Sequence, residues 1–279
     1  MANYTVADIQ TLRDRTGAGM MDVKKALDEA DGDLDKAVEV LRIKGLKGVT
    51  KREGRAASEG LVAASVADGG AGQIGILIEI NSETDFVAKS PKFIALADAV
   101  LAAVVAADAA SAEAALVADA GGKPVSELIA ETAGVLGEKI VLRRVGRIEA
   151  PNVAVYLHKT NRDLPAQVGV LVGSDQKAKD VARDVAMHTA AYSPLFLSRE
   201  SVPAEVVANE RRVAEEVSRA EGKPEAALPK IVDGRMNGFF KENVLLEQAF
   251  AKDPKMTVGA VVEQTGGAVT AFVRFRVGA

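Results

Sequence analysis

Gln73-Ile74-Gly75-Ile76-Leu77-Ile78 returns, with conservative exchanges only, as Gln167-Val168-Gly169-Val170-Leu171-Val172. Each copy follows a strand-like run and precedes a helical pattern. A second pair of segments also matches. Val125, Leu128, Ile129, Thr132 and Gly134 correspond to Val258, Val261, Val262, Thr265 and Gly267, and each set leads into a strand that ends Arg144-Val145-Gly146 or Arg276-Val277-Gly278. Self-similarity of this kind marks a repeated structural unit. The unit reads strand, strand, helix, helix, strand, so the expected fold class is α+β with a duplicated core, one half over 56–150 and the other over 151–279.

The first pair is offset by 94 residues (73 to 167) and the second by 133 (125 to 258). The second half therefore holds about 39 residues more than the first. A charged, Ala-rich segment of that size runs over 203–241, broken at Glu221-Gly222-Lys223-Pro224. Val206, Val213 and Val217 form a narrow apolar stripe before the break, and Leu228, Val232, Met236 and Phe239 form one after it. Two such stripes joined by a tight turn predict an antiparallel helical hairpin inserted into the second half, with the stripes facing each other. Pro203 suits the first turn of its first helix.

In the first half, Leu61–Ala67 and Gln73–Asn81 read as a β-hairpin around Asp68-Gly69-Gly70. Helices are expected over Pro91–Ala107 and Val125–Ala133, and a strand over Lys139–Ile148. Upstream, three short helical patterns fill residues 1–45. Thr5 and Asp8 form a capping box for the first, whose apolar positions are Val6, Ile9 and Leu12, and Gly17 ends it. The second runs from Met20 to Ala30, with Met21, Ala26, Leu27 and Ala30 apolar, and Asp31-Gly32 stops it. Asp33 caps the third, carried by Leu34, Ala37, Val38 and Leu41. The basic, Gly-containing stretch that follows, with 46–55 as its centre, reads as a linker.

The 279 residues carry a net charge of -4, and 48% are hydrophobic, an ordinary globular balance. An acidic balance argues against nucleic acid as the main partner. With no Cys and only His158 and His188, neither a thiolate nor a His-rich metal site can be built. The N-terminus has no basic start followed by an apolar run, and the Ala/Val-rich stretch Phe93–Val117 carries Asp98, Asp108 and Glu113. A cytoplasmic chain with no membrane span is expected. No phosphate loop, dinucleotide fingerprint or Ser-His-acid grouping is present in a recognisable context. Covalent catalysis, a cofactor and a resident metal are therefore not expected.

Three places remain open on the residues alone. In Thr84-Asp85-Phe86-Val87, either Asp85 caps a helix and Phe86 staples it to the core, or Phe86 stands exposed as an anchor for a partner. Met20 and Met21 are adjacent, so both cannot face one helix's core, and one can serve as an adaptable contact. His188, in register with Val181, Val185 and Tyr192, reads as a core or helix-end histidine.

Leu12-Arg13-Asp14-Arg15-Thr16-Gly17-Ala18-Gly19-Met20-Met21-Asp22 with Lys24-Lys25-Ala26-Leu27, then Thr84-Asp85-Phe86-Val87, Met187-His188-Thr189-Ala190-Ala191 and Gly234-Arg235-Met236, resemble the bacterial elongation factor Ts family nearly end to end. The resemblance implies a guanine-nucleotide exchange factor for elongation factor Tu. The first three helices would be a ubiquitin-associated-like domain docking on the nucleotide domain of Tu. Thr84, Asp85, Phe86 and Val87 would enter beside the nucleotide and dislocate the partner's magnesium. Leu12, Met20, Met21, Gly137 and His188 would be further contacts. Ala251-Lys252 stands where some members carry two apolar contact residues. The hairpin would help subunits associate, as a homodimer or a two-plus-two complex with Tu. Two readings compete: an interaction scaffold built on the N-terminal bundle, and an RNA-associated protein using Lys44 to Arg55.

Overall fold

The computed structural model describes residues 3–70 and 72–279, with no side-chain description for 46–51. It is mixed helix and sheet. Its first helices are α1 (Val6–Thr16), α2 (Met20–Glu29) and α3 (Leu34–Lys51). Thr5 and Asp8 form the expected capping box. Gly17 ends α1 in the left-handed conformation that glycine adopts without a Cβ clash. The bundle closes on Leu12, Val23, Ala26, Leu27 and Ala37.

Two expectations for the bundle are corrected. Val6 is 83% exposed and Met21 65%, so neither is a core position; Val23 takes the place of Met21. The third helix does not stop before a linker at 46, because α3 continues to Lys51. Gly45 does not break it. That glycine lets α3 approach a later helix, α7 (Val125–Leu136): a Cβ on Gly45 would lie 3.1 Å from the Cα of Gly134. Arg42 adds ion pairs to Glu127 and Glu131 on the same helix. The bundle is thus packed on the first half.

That half holds β1 (Glu59–Gly69), β2 (Gly72–Ser82), the four-residue helix α4 (Asp85–Ala88), α5 (Pro91–Ala106), α6 (Ala112–Leu116), α7 and β3 (Val141–Ala150). The second half holds β4 (Asn152–His158), β5 (Val168–Ser174), α8 (Lys179–Tyr192), the long helices α9 (Ala204–Ala220) and α10 (Leu228–Asn243), the short pair β6 (Ala249–Phe250) and β7 (Asp253–Thr257), α11 (Val258–Glu263) and β8 (Val269–Arg276). The pair β6–β7 and helix α6 have no counterpart among the sequence expectations.

Both three-stranded sheets are antiparallel and have one order, β1-β2-β3 and β4-β5-β8, with the second strand of each half in the centre. Because successive side chains alternate, each central strand serves two cores. Ile76, Ile78 and Ile80 face the helices of the first half, and Val170 and Val172 those of the second. Leu77 and Leu171 point between the sheets, with Val62, Ile148, Val153 and Phe275. The repeated glycine sits in that interface for a steric reason. A Cβ on Gly75 would lie 3.3 Å from Leu171 Cδ1, and one on Gly169 would lie 2.6 Å from Leu77 Cδ1. Each copy's glycine receives the other copy's leucine.

Glu79 is fully buried in β2 and crosses this interface. It accepts from Arg144 Nε at 2.7 Å, Asn81 Nδ2 at 3.1 Å and the Gly278 amide at 3.1 Å. Arg144 in turn donates to the Arg276 carbonyl at 2.9 Å. The last strand of the second half is thereby tied to the central strand of the first.

Helices α9 and α10 pack as an antiparallel pair pinned by Arg211–Asp233 and Arg235–Glu221 ion pairs. Leu228, Val232 and Met236 are buried, but Val213 and Val217 on α9 keep over a third of their surface. The two stripes do not fully cover each other, contrary to expectation.

Candidate functional site

Strand β2 ends in Ser82, and the chain turns directly into α4. Thr84 is the N-cap, its hydroxyl oxygen accepting from the Val87 amide at 3.4 Å. Asp85 is the first helical residue and does not cap, which corrects that alternative. One turn of helix sends neighbouring side chains in different directions. Ala88 is fully buried, Val87 packs on the first-half core, and Phe86 points away with 73% of its surface exposed. Phe86 is therefore not a staple. Lys89 lies 4.5 Å over its ring and 3.6 Å from the Asp85 carboxylate, so the three side chains form one exposed tip.

The tip is held from behind. The Glu83 carboxylate accepts from the Lys139 amide at 2.6 Å and from Arg55 at 3.2 Å. Burial resists its ionisation, but these two donors outweigh that and keep its carboxyl below the ordinary range. Glu138 accepts from the amides of Glu83 and Thr84 at 3.1 and 3.0 Å and from the Thr84 hydroxyl at 2.6 Å. Gly137, exposed and left-handed at φ +78°, ends α7 and turns the chain toward this contact. The family resemblance points to Gly137 but not to Glu83, Glu138 or Lys89. The carboxylates act across 54 to 56 residues, a separation that no local pattern reports.

Met20 and Met21 open α2 and are 55% and 65% exposed, so both face outward rather than one. A Cβ on Gly17 would collide with the Lys92 side chain of α5, which sets the α1–α2 turn beside the helix that follows the tip. The same Cβ would lie 3.2 Å from Val135 of α7, so the turn before Met20 and Met21 also lies beside the end of the helix that Gly137 closes.

Leu12 and His188 are not on that surface. Leu12 is fully buried inside the bundle and His188 is 1% exposed, so neither side chain reaches the surface of this structure, where a partner contact would be made. The amide of Ala251 donates to His188 Nδ1 at 3.2 Å, which leaves the proton on Nε2 to donate to Gln248 Oε1 at 2.9 Å. Tyr192 stacks on the ring at 4.6 Å. The exposed apolar surface there belongs to Met187, Tyr192 and Leu195. Ala251 thus contributes its backbone to the histidine, and Lys252 pairs with Asp184 of α8 at 2.7 Å.

Burial holds the His188 pKa below the ordinary imidazole value, only partly offset by Gln248. The unfolded chain then takes up a proton near pH 6.5 that the folded chain refuses, so the stabilisation is full above that pH and is lost on acidification. We expect the melting temperature to fall between pH 7.5 and 5.5, with His188→Ala both lowering it at pH 7.5, by several degrees for ~1–2 kcal/mol, and flattening its pH dependence. Equal slopes for the two proteins would remove His188 as the titrating group.

The geometry presents exposed apolar side chains, Phe86, Met20 and Met21, at the starts of helices whose other faces are buried. Among the described residues there is no group of three His, Cys, Asp or Glu placed to hold a metal ion, and no helix long and apolar enough to cross a membrane. Of the basic stretch proposed for RNA, Lys44 pairs with Glu29 and Arg55 with Glu83, so these charges serve internal contacts. The family described as "Elongation factor TS" matches residues 83–279. Elongation factor Ts of Beutenbergia cavernae is 63% identical, that of Micrococcus luteus 61% and that of Kineococcus radiotolerans 56%, each over the whole of both chains. The chain belongs to the elongation factor Ts family. Membership carries a role in protein biosynthesis, as a nucleotide exchange factor for elongation factor Tu.

Proposed function

We propose that this chain speeds GDP release from Tu by pressing the Asp85–Phe86 tip against the nucleotide site and dislocating the magnesium there, so that GTP can bind. The observation that carries this reading is an aromatic side chain 73% exposed on a single helical turn that its own chain holds rigid. Phe86 supplies burial on docking, Thr84 and Val87 seat it, and Asp85 brings a carboxylate toward the metal shell. The three-helix bundle is a ubiquitin-associated-like module that docks on Tu's nucleotide domain through Met20 and Met21, with Leu12 beneath them. Gly137 borders the same contact. His188 supports a second patch made by its neighbours. The two halves of the core derive from a duplication, the hairpin 203–241 is an insertion that favours a homodimer or a two-plus-two complex with Tu, and the chain acts in the cytoplasm.

No covalent step is needed. The factor must only bind nucleotide-free Tu more tightly than the nucleotide-bound form, and linkage then weakens nucleotide binding by the same factor. A coupling of about 3 kcal/mol corresponds to roughly 150-fold.

Magnesium tests the role of Asp85. Asp85→Asn is expected to slow release several-fold at millimolar magnesium and much less in chelator, because the carboxylate has nothing to disturb once the metal is gone. GDP release from Tu, measured at both conditions, checks it. An identical loss under both would reject the metal-shell role.

A further inference from the structure

Glu138 touches neither Phe86 nor Asp85, yet its carboxylate is spent entirely on the base of their helix. Oε2 accepts from two successive amides, Glu83 at 3.1 Å and Thr84 at 3.0 Å, and Oε1 accepts from the Thr84 hydroxyl at 2.6 Å. We propose that Glu138 is a positioning residue for nucleotide exchange, fixing the direction in which Phe86 projects; this rests on the reading of the tip as the exchange element.

The hydroxyl of Thr84 has one proton and two lone pairs. Its proton goes to Glu138, so a lone pair is turned toward the Val87 amide, and the cap of α4 is set by a carboxylate outside the helix. A four-residue helix has too few internal hydrogen bonds to hold itself, since nucleation of one turn is unfavourable. The clamp substitutes for that missing stability. It is reciprocal, because Glu83, whose amide Glu138 holds, accepts from the amide of Lys139, the residue after Glu138. The loop before α4 and the loop after α7 are therefore locked together by two carboxylates and the backbone of each. Charge-assisted bonds of this kind are stronger than neutral ones. A side chain that must enter a partner at one angle loses most of its effect if its support is loose.

The test is a double-mutant cycle on the full chain, reading release of fluorescent GDP from Tu at subsaturating factor, with melting temperature alongside. Glu138→Ala should slow release on the order of tenfold, short of the ~100-fold that a full 1 Å misplacement can cost. Glu138→Gln, whose amide oxygen still accepts from the two backbone amides, should stay within about threefold of the parent. In the Phe86→Ala background, Glu138→Ala should cost about threefold at most, because only Asp85 is then left on that helix for it to position. If Glu138→Ala melts too low to assay, Thr84→Val removes the same hydroxyl link and takes its place in the cycle. Full additivity, or unchanged release with Glu138→Ala, while Phe86→Ala is slow, would overturn the positioning role alone. Unchanged release with Phe86→Ala would instead overturn the reading of the tip, and the positioning role with it.

Discussion

Phe86→Ala should reduce GDP release from Tu by roughly 30-fold or more at subsaturating factor, while far-ultraviolet dichroism and melting stay at the parent values. The size follows from what the ring does. A central aromatic anchor costs about 2–4 kcal/mol on truncation. The absence of a stability effect follows from where the ring is. Its packing on the chain itself is slight, with 73% of its surface free, while Ala88 and Val87 hold α4 on the core without it. Lys89, 4.5 Å over the ring, makes an exposed cation–π pair of at most about 1 kcal/mol. Release within twofold of the parent, with an unchanged fold, would make Phe86 an ordinary surface residue.

Glu79→Ala should do the reverse and act on the fold first. Removing one partner of a buried ion pair leaves the other groups without compensation, at about 3–5 kcal/mol when both are fully buried. Arg144 keeps about a third of its side chain in solvent, so about 2–3 kcal/mol is the expected loss here. That corresponds to a fall in melting temperature of roughly 4–6 °C for a chain of this size. Glu79→Gln, which still accepts from Asn81 or the Gly278 amide, should lose less. The melting temperatures of the two variants check both statements. A change of under a degree or two with Glu79→Ala would mean that the sheets hold together by apolar packing alone.

The architecture of the core was legible because the interface constrains single residues. Gly75 and Gly169 recur since each must admit the opposite leucine, and the Ile and Val residues around them recur since both central strands are covered on two sides. Caps were legible as well, because Thr5 with Asp8 and Gly17 act within one turn of the helix they bound. What failed was any inference that needed the partner of a residue. The Gly-containing stretch after Leu41 reads as a linker, but the role of its Gly45 is set by Gly134, 89 positions away. Val6 and Met21 fit an apolar period that no neighbouring element covers. At the site, Thr84 to Val87 could be quoted from the sequence, yet the same letters suit a buried staple and an exposed anchor. Only the placement of Ala88 against the core separates them. The role of Glu138 is hidden for the same reason as the contact between Gly45 and Gly134: its partners are distant in the chain. The stripe of His188 reads as a core or helix-end position, and the side chain is buried, while Met187, Tyr192 and Leu195 near it are exposed.

On the proposed function, this chain lowers Tu's hold on its nucleotide and is then set free to act again. Stopped-flow release of fluorescent GDP from Tu, chased with excess unlabelled nucleotide and with the chain at one-tenth the concentration of Tu, tests it most directly. The account predicts that all of the Tu releases its GDP far faster than it does alone, so that each chain serves many Tu molecules. Release at the spontaneous rate, or a fast phase confined to one Tu per chain, would contradict it.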